Sequence, residues 1–214
     1  MVQLLNLSGV RYRIKKSASW MLNEVNLTVE PGELVVISGR SGSGKTALVE
    51  LIYGLRKPFS GHVETVQPIA LVTQAFSLYS DLTVMENLEF IGAINGVSSQ
   101  FCQEVITRTG LAGFEKVRAA HLTAGHQRML QVAAGLLNPA QLMLLDEWDS
   151  GLDPIQQATV TELCTRLSLE GKGILLTSSR EYPELDGSHY RLEDGRLIRK
   201  EILPEVEMRG GIGS

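Results

Sequence analysis

Apolar residues in the first third of the chain come in short alternating or continuous runs, at residues 4–8, 10–14, 25–29 and 34–38, the spacing expected of β-strands. Pro31-Gly32 marks a turn between the last two, and the pattern predicts an antiparallel β region leading into a glycine-rich stretch. Beyond Thr46 the spacing becomes helical through Ala47, Leu48, Leu51, Ile52 and Leu55, with Pro58 as the predicted stop. Strand-like pieces follow at 62–66 and 69–73. From 82 to 137 the pattern is mainly helical, with breaks at Gly96, Gly110, Gly113 and Gly125, and it predicts an inserted helical subdomain. Residues 142–146 return to strand. Asp153-Pro154 then supplies an N-cap and a first-turn proline for a helix reaching about Leu169, with Gly171 as its terminator. A strand at 173–177 and two short ones around 190–192 and 197–202 finish the pattern, and residues 209–214 read as a frayed tail.

Between the run at 34–38 and the helix lies Gly39-Arg40-Ser41-Gly42-Ser43-Gly44-Lys45-Thr46, which fits the phosphate-loop pattern G-x-x-x-x-G-K-[ST] at every fixed position. The glycines let backbone N–H groups turn inward on a β-phosphate, while the next helix aims its positive end at the same anion. This stretch predicts a nucleoside triphosphate site, with Lys45 reaching the β and γ phosphates and the Thr46 hydroxyl ligating Mg²⁺. Such a site also needs a carboxylate for Mg²⁺ and a group to polarise water. Asp146 and Glu147, directly after the apolar run 142–145, are placed to supply them: Asp146 for the metal shell and Glu147 as general base.

Composition narrows the setting. The 214 residues allow one large domain or two small ones and leave no room for a second catalytic domain. Twenty basic against 24 acidic residues give a formal charge of −4, and no run of Lys and Arg is long enough to track a nucleic acid backbone. Cys102 and Cys164 stand far apart without partners at ligand spacing, which predicts free thiols in a reducing compartment. No apolar stretch approaches the ~20 residues of a membrane-spanning helix, and the first residues lack the pattern of a signal peptide. The expected location is cytoplasmic, with any membrane role supplied by a partner.

With these residues in place the chain resembles the ATP-binding cassette (ABC) ATPase family from about Leu4 to Ile202. Gln74 sits where the family has its Q-loop glutamine, which touches Mg²⁺ and the attacking water. Leu122-Thr123-Ala124-Gly125-His126, followed by Gln127-Arg128, takes the place of the LSGGQ signature, and Ser150-Gly151-Leu152-Asp153 matches the D-loop. Tyr12 lies at the usual distance before the phosphate loop to stack on adenine, with Trp20 as the weaker candidate. The resemblance implies one ABC ATPase domain over 1–214 with an α/β fold, a phosphate-loop (RecA-like) core with an antiparallel β subdomain. Its parts are the β subdomain and loop core at 1–80, the helical subdomain at 81–138, the core continuation at 139–203 and a flexible tail at 204–214. It also implies an ATP-driven dimer in which each ATP is clamped between one chain's phosphate loop and the other chain's signature, Thr123, Ala124, Gly125 and His126. Binding closes the dimer to the extent that ATP makes extra contacts in the closed state.

The chain departs from the family at several positions. Its signature is degenerate but keeps a hydroxyl at Thr123 and hydrogen-bonding capacity at His126. At position 179, where the family has a switch histidine, stands Ser179. The loss of that positioned group implies either slow or regulatory ATP hydrolysis, or pairing with a second cassette that carries its own histidine; His62, His121 and His189 are not placed to replace it. Trp148 and Asp149 replace the usual proline and threonine, and the indole is expected to pack at the dimer interface. The phrase at 81–90 looks like cassettes that power exporters of the separate-subunit type, whose integral membrane permease docks beside Gln74 and the segment 75–82, with Phe76, Leu78 and Tyr79 as candidate groove residues. A soluble, non-transport cassette is the alternative. Homodimer and heterodimer remain equally open.

Overall fold

The computed structural model describes residues 3–14, 19–73 and 78–201. Strands β1 (Leu5–Tyr12), β2 (Leu22–Val29) and β4 (Ser60–Thr65) form an antiparallel sheet in the order β2-β1-β4. A second sheet runs β5-β6-β7-β3-β8-β9, from β3 (Leu34–Ser38), β5 (Ile69–Val72), β6 (Leu142–Leu145), β7 (Gly173–Ser178), β8 (Ser188–Glu193) and β9 (Arg196–Lys200). Its pairings are parallel except that of β8 with β9. Helix α1 (Lys45–Tyr53) follows β3, and α2 (Val84–Ile94), α3 (Ser99–Arg108), a 3₁₀ turn (Ala119–His121) and α4 (Ala124–Leu136) lie between β5 and β6. Helix α5 (Pro154–Leu169) connects β6 to β7. None of the helices among the described residues is long and apolar enough to cross a membrane.

Three expectations from the pattern need correction. The runs 4–8 and 10–14 are one strand, because Gly9, at φ +57°, absorbs a bulge and the pairing with β2 and β4 resumes beyond it in a shifted register. Residues 34–38 do not belong to the antiparallel region. All five are buried, as expected of a strand covered on both faces, and they lie between β7 and β8 in the parallel sheet. Helix α1 stops at Tyr53 rather than Pro58, since Gly54 takes a left-handed conformation and donates its N–H to the Glu50 and Leu51 carbonyls. Helix α5 starts and ends where Asp153-Pro154 and Gly171 predict, with a reciprocal cap between Asp153 and Gln156.

The six-stranded sheet separates two apolar clusters, and alternate residues of its strands face opposite ways. Val35, Ile37, Leu142 and Leu144 pack with α1 and the antiparallel sheet; Val36, Met143, Leu145 and Ile174 pack with α4, α5 and the helices between β5 and β6. The predicted helical insertion therefore shares one continuous core with a face of the sheet. This arrangement sets the site: β6, β7 and β3 are neighbours, all parallel, so the loops leaving their C-terminal ends emerge side by side. Those loops carry Asp146 and Glu147, Ser179, and the glycine-rich stretch.

Helix α2 opens on a capping box in which the Thr83 hydroxyl accepts from the Glu86 N–H and the Glu86 carboxylate accepts from the Thr83 N–H. Thr83→Ala is expected to lower the unfolding free energy by about 1 kcal/mol. The check is a urea titration, in which the midpoint falls with the slope unchanged.

Candidate nucleotide site

The turn from β3 into α1 is shaped by close backbone approach. A Cβ at Gly39 would stand 2.6 Å from the Leu192 carbonyl oxygen and 2.8 Å from Ser43 Oγ, and Gly44 holds φ +107° immediately before the helix. No side chain caps α1, so the N–H groups of its first turn are open to an anion. Ser43 Oγ is buried without a hydrogen-bond partner among the described residues. Lys45, 3% exposed, donates from Nζ to the Gly39 carbonyl at 2.6 Å and the Arg40 carbonyl at 3.1 Å. The same Nζ lies 3.0 Å from Glu147 Oε1 and 3.5 Å from Ser179 Oγ. A cavity of about 520 Å³ opens over this group, lined by Gly42, Gly44, Lys45, Thr46, Glu147 and Ser179 among others. The uncapped helix, the orphaned Ser43 hydroxyl and the buried ammonium fit a phosphate chain. Thr46 and Asp146 are oxygen donors, the chemistry Mg²⁺ takes.

The two carboxylates are held differently. Asp146 is buried, with Oδ1 accepting from Thr177 Oγ1 at 2.6 Å. Glu147 is half-buried and takes a left-handed backbone, φ +46°, and its N–H donates to the same Thr177 hydroxyl at 2.9 Å. Ser179 Oγ lies 3.2 and 3.1 Å from the two Glu147 carboxylate oxygens. Position 179 thus meets both the general-base candidate and the loop lysine, although its side chain is a short hydroxyl. Behind the acids, Arg128 of α4 is buried and donates from one terminal nitrogen to the carbonyls of Asp146, at 2.6 Å, and Glu147, at 3.1 Å. Burial pushes the Arg128 guanidinium pKa down, against the opposing charges of Asp146, Asp149 and Glu147. Reading the sequence gave no role to Arg128 or Thr177. The available signal for Thr177 was a hydroxyl at the end of an otherwise apolar strand beside the acidic one.

Other predicted residues fall elsewhere. Gln74 and Phe76 lie outside the described residues, as does the tail. Arg40, Ser41, Gly42 and Ser43 line a second cavity of about 570 Å³ together with Trp20 and Met21, and Ser41, Gly42 and Met21 line the first cavity as well. Tyr12 lines neither cavity; its hydroxyl accepts from Arg56 at 2.6 Å, whereas the weaker candidate, Trp20, does line one. Thr123 caps α4, accepting from the His126 N–H and lying 2.7 Å from His126 Nδ1, and none of Thr123, Ala124, Gly125 and His126 lines the cavity over this chain's own loop. Gly125 lies against the Gln156 side chain of the α5 cap, so the first turns of α4 and α5 touch within one chain. Ser150 lines the loop cavity, while Asp153 serves as the α5 cap.

Trp148 corrects the expectation of an interfacial indole. It is fully buried in the core, 4.7 Å between ring centroids from Tyr182, because the backbone after Glu147 turns inward where Trp148 N–H donates to the Thr177 carbonyl. Asp149 accepts from the Tyr182 hydroxyl at 2.7 Å. His189 is buried with Nε2 2.8 Å from the Leu185 carbonyl oxygen, and it lines neither cavity. Leu78 packs partly into the core, whereas Tyr79 and Phe90 stay exposed and stack edge to face.

The family model for ABC transporters matches residues 22–150, more than half of the chain. The chain is 32% identical over 183 residues to the cytochrome c biogenesis ATP-binding export protein CcmA of Xylella fastidiosa, covering 79% of this chain and 85% of that one. It is 33% identical over 174 residues to methionine import ATP-binding protein MetN 2 of Bacillus licheniformis, covering 72% of this chain but only about half, 51%, of that protein. It is 28% identical over 221 residues to the cell division ATP-binding protein FtsE of Mycobacterium tuberculosis, covering 92% and 96%. Among solved structures, the dimeric bacterial ABC transporter cassette MJ0796 superposes with a TM-score of 0.82 at 25% identity, covering 94% of this chain and 99% of that one. That solved structure is a dimer of cassettes. The family model over more than half of the chain and the 32% identity to CcmA place the chain in the ABC transporter ATP-binding family.

Proposed function

We propose that this chain is the ATP-hydrolysing subunit of an ABC transporter, that it dimerises on ATP, and that its turnover is slow because position 179 is serine. The observation that carries the reading is the contact of Lys45, Glu147 and Ser179 at the mouth of the loop cavity. Incoming triphosphate competes with Glu147 for the Lys45 ammonium. Once released, the carboxylate takes a proton from water as the water oxygen bonds to the γ-phosphorus and the bond to the β-phosphate oxygen breaks, leaving ADP and phosphate. Thr46 and Asp146 would hold Mg²⁺, with Gln74 as a further ligand, and bound Mg²⁺ neutralises charge on the phosphates. Ser179 steadies the Glu147 carboxylate but is too short to bridge it to a γ-phosphate as an imidazole does.

A dimer follows from the placement of the signature. Thr123, Ala124, Gly125 and His126 stand away from their own loop cavity, so a nucleotide clamp that uses them requires a second cassette. The exposed Tyr79 and Phe90 pair offers an apolar foothold for a permease. An exporter of the separate-subunit type is the reading favoured by the phrase at 81–90 and by CcmA, a relative named for export that this chain covers over most of its length. The chain lies at the cytoplasmic face of the membrane through that permease. The similarity to FtsE along nearly the whole chain supports a second reading, a cassette that serves assembly or regulation with slow hydrolysis.

The test is steady-state ATP hydrolysis by the purified chain, with size-exclusion chromatography in ATP and Mg²⁺. Turnover is expected to be low, to fall by a further factor of roughly 10² to 10⁴ in Glu147→Gln, and to rise in Ser179→His. Fast wild-type turnover that Ser179→His leaves unchanged contradicts the role given to Ser179.

A further inference from the structure

Thr177 is fully buried at the C-terminal end of β7, one residue beyond the last paired rung of β6 and β7, Leu145 with Leu176. It meets three successive residues of the neighbouring segment. Its hydroxyl donates to Asp146 Oδ1 at 2.6 Å and accepts from the Glu147 N–H at 2.9 Å, and its carbonyl accepts from the Trp148 N–H at 3.0 Å. The donor and one acceptor lone pair of a single hydroxyl are therefore spent on the two acids. The consequence at Glu147 is geometric. A non-glycine residue at φ +46° is held there only when its surroundings over-determine it. The N–H bond to Thr177, with the Arg128 bond to the Glu147 carbonyl, fixes the peptide on both sides of that residue. This backbone turn sends the Glu147 carboxylate toward Lys45 and Ser179 while Trp148 enters the core.

We propose that Thr177 is a positioning residue for hydrolysis: its single hydroxyl orients the Asp146 carboxylate toward Mg²⁺ and locks the Glu147 backbone in the conformation that presents its carboxylate to the attacking water. Ser179 and Thr177 then divide the task on one strand end, the first holding the Glu147 side chain and the second its main chain. Valine has nearly the same shape as threonine and lacks the hydroxyl, so Thr177→Val removes both bonds without opening a cavity, leaving the buried Asp146 oxygen and Glu147 N–H without their partner. This inference rests on Asp146 as the metal ligand and Glu147 as the base, and Asp146→Asn tests that reading separately.

The experiment compares wild type, Thr177→Val, Thr177→Ser and Asp146→Asn by ATP hydrolysis and by titration of a fluorescent ATP analogue with and without Mg²⁺. Thr177→Val is expected to lose about tenfold to a hundredfold in kcat, with KM changed less than threefold. It should need several-fold more Mg²⁺ to reach half of the metal-dependent gain in nucleotide affinity, while its affinity without Mg²⁺ stays unchanged. Thr177→Ser, which keeps the hydroxyl, should recover most of both. If Thr177→Val fails to fold by circular dichroism, Thr177→Cys, a similar volume with a weak donor, is read in its place. Wild-type kcat and Mg²⁺ dependence in Thr177→Val or its substitute overturn the proposal, as does a loss that Thr177→Ser does not rescue. Unchanged Mg²⁺ dependence in Asp146→Asn overturns instead the metal-site reading beneath it.

Discussion

The buried ammonium of Lys45 organises this cassette. At 3% exposure an unpaired cation would be costly, and the chain surrounds it with the Gly39 and Arg40 carbonyls, the Glu147 carboxylate and the Ser179 hydroxyl. Those partners come from three different strand ends. Their convergence requires β6, β7 and β3 to be parallel neighbours, which in turn requires a sheet covered on both faces by apolar layers. The all-buried β3, β6 and β7 meet that requirement, and α1, α4 and α5 provide the cover. Sequence, sheet and site are thus linked through one charge that must be neutralised.

The same charge gives the site a two-state character. With Lys45 paired to Glu147, the proposed base is tied to the proposed phosphate ligand, and in that mechanism neither would be free for hydrolysis. In the proposed mechanism triphosphate would bring a stronger anionic partner to Lys45 and release the acid. The substitution of serine at 179 leaves the acid steadied by a neutral hydroxyl, and the main-chain brace from Thr177 and Arg128 keeps the acid near the cavity in either state. The brace also runs through α4, whose first turn carries the signature residues. In the proposed dimer, a shift of that helix on contact with a second cassette would reach the carbonyls behind Asp146 and Glu147 through Arg128.

Much of this was legible in the chain. The turn from β3 into α1 at Lys45, the strand at 142–145 ahead of Asp146 and Glu147, and the bounds of α5 followed from local chemistry that tertiary context did not override, since glycine spacing, a short apolar run and an Asp-Pro cap act over a few residues. The misreadings arose where long-range contacts decide. Residues 34–38 have the same apolar pattern in an antiparallel or a parallel sheet, and only the pairing with β7 and β8 separates the two. Trp148 was expected at an interface because it stands beside the D-loop segment, yet one bond from its N–H to β7 turns it into the core. Thr177 and Arg128 escaped notice because their partners lie 31 and 18 residues away, respectively.

The central claim is that nucleotide must displace Glu147 from Lys45, and calorimetric titration of ATP in the absence of hydrolysis tests it most directly. Glu147→Gln removes the competing charge while keeping the shape, so it is expected to bind ATP about three- to thirtyfold more tightly than wild type, with Lys45→Ala showing no binding. Equal or weaker binding by Glu147→Gln would contradict the account, since the ion pair would then carry no weight in the resting site.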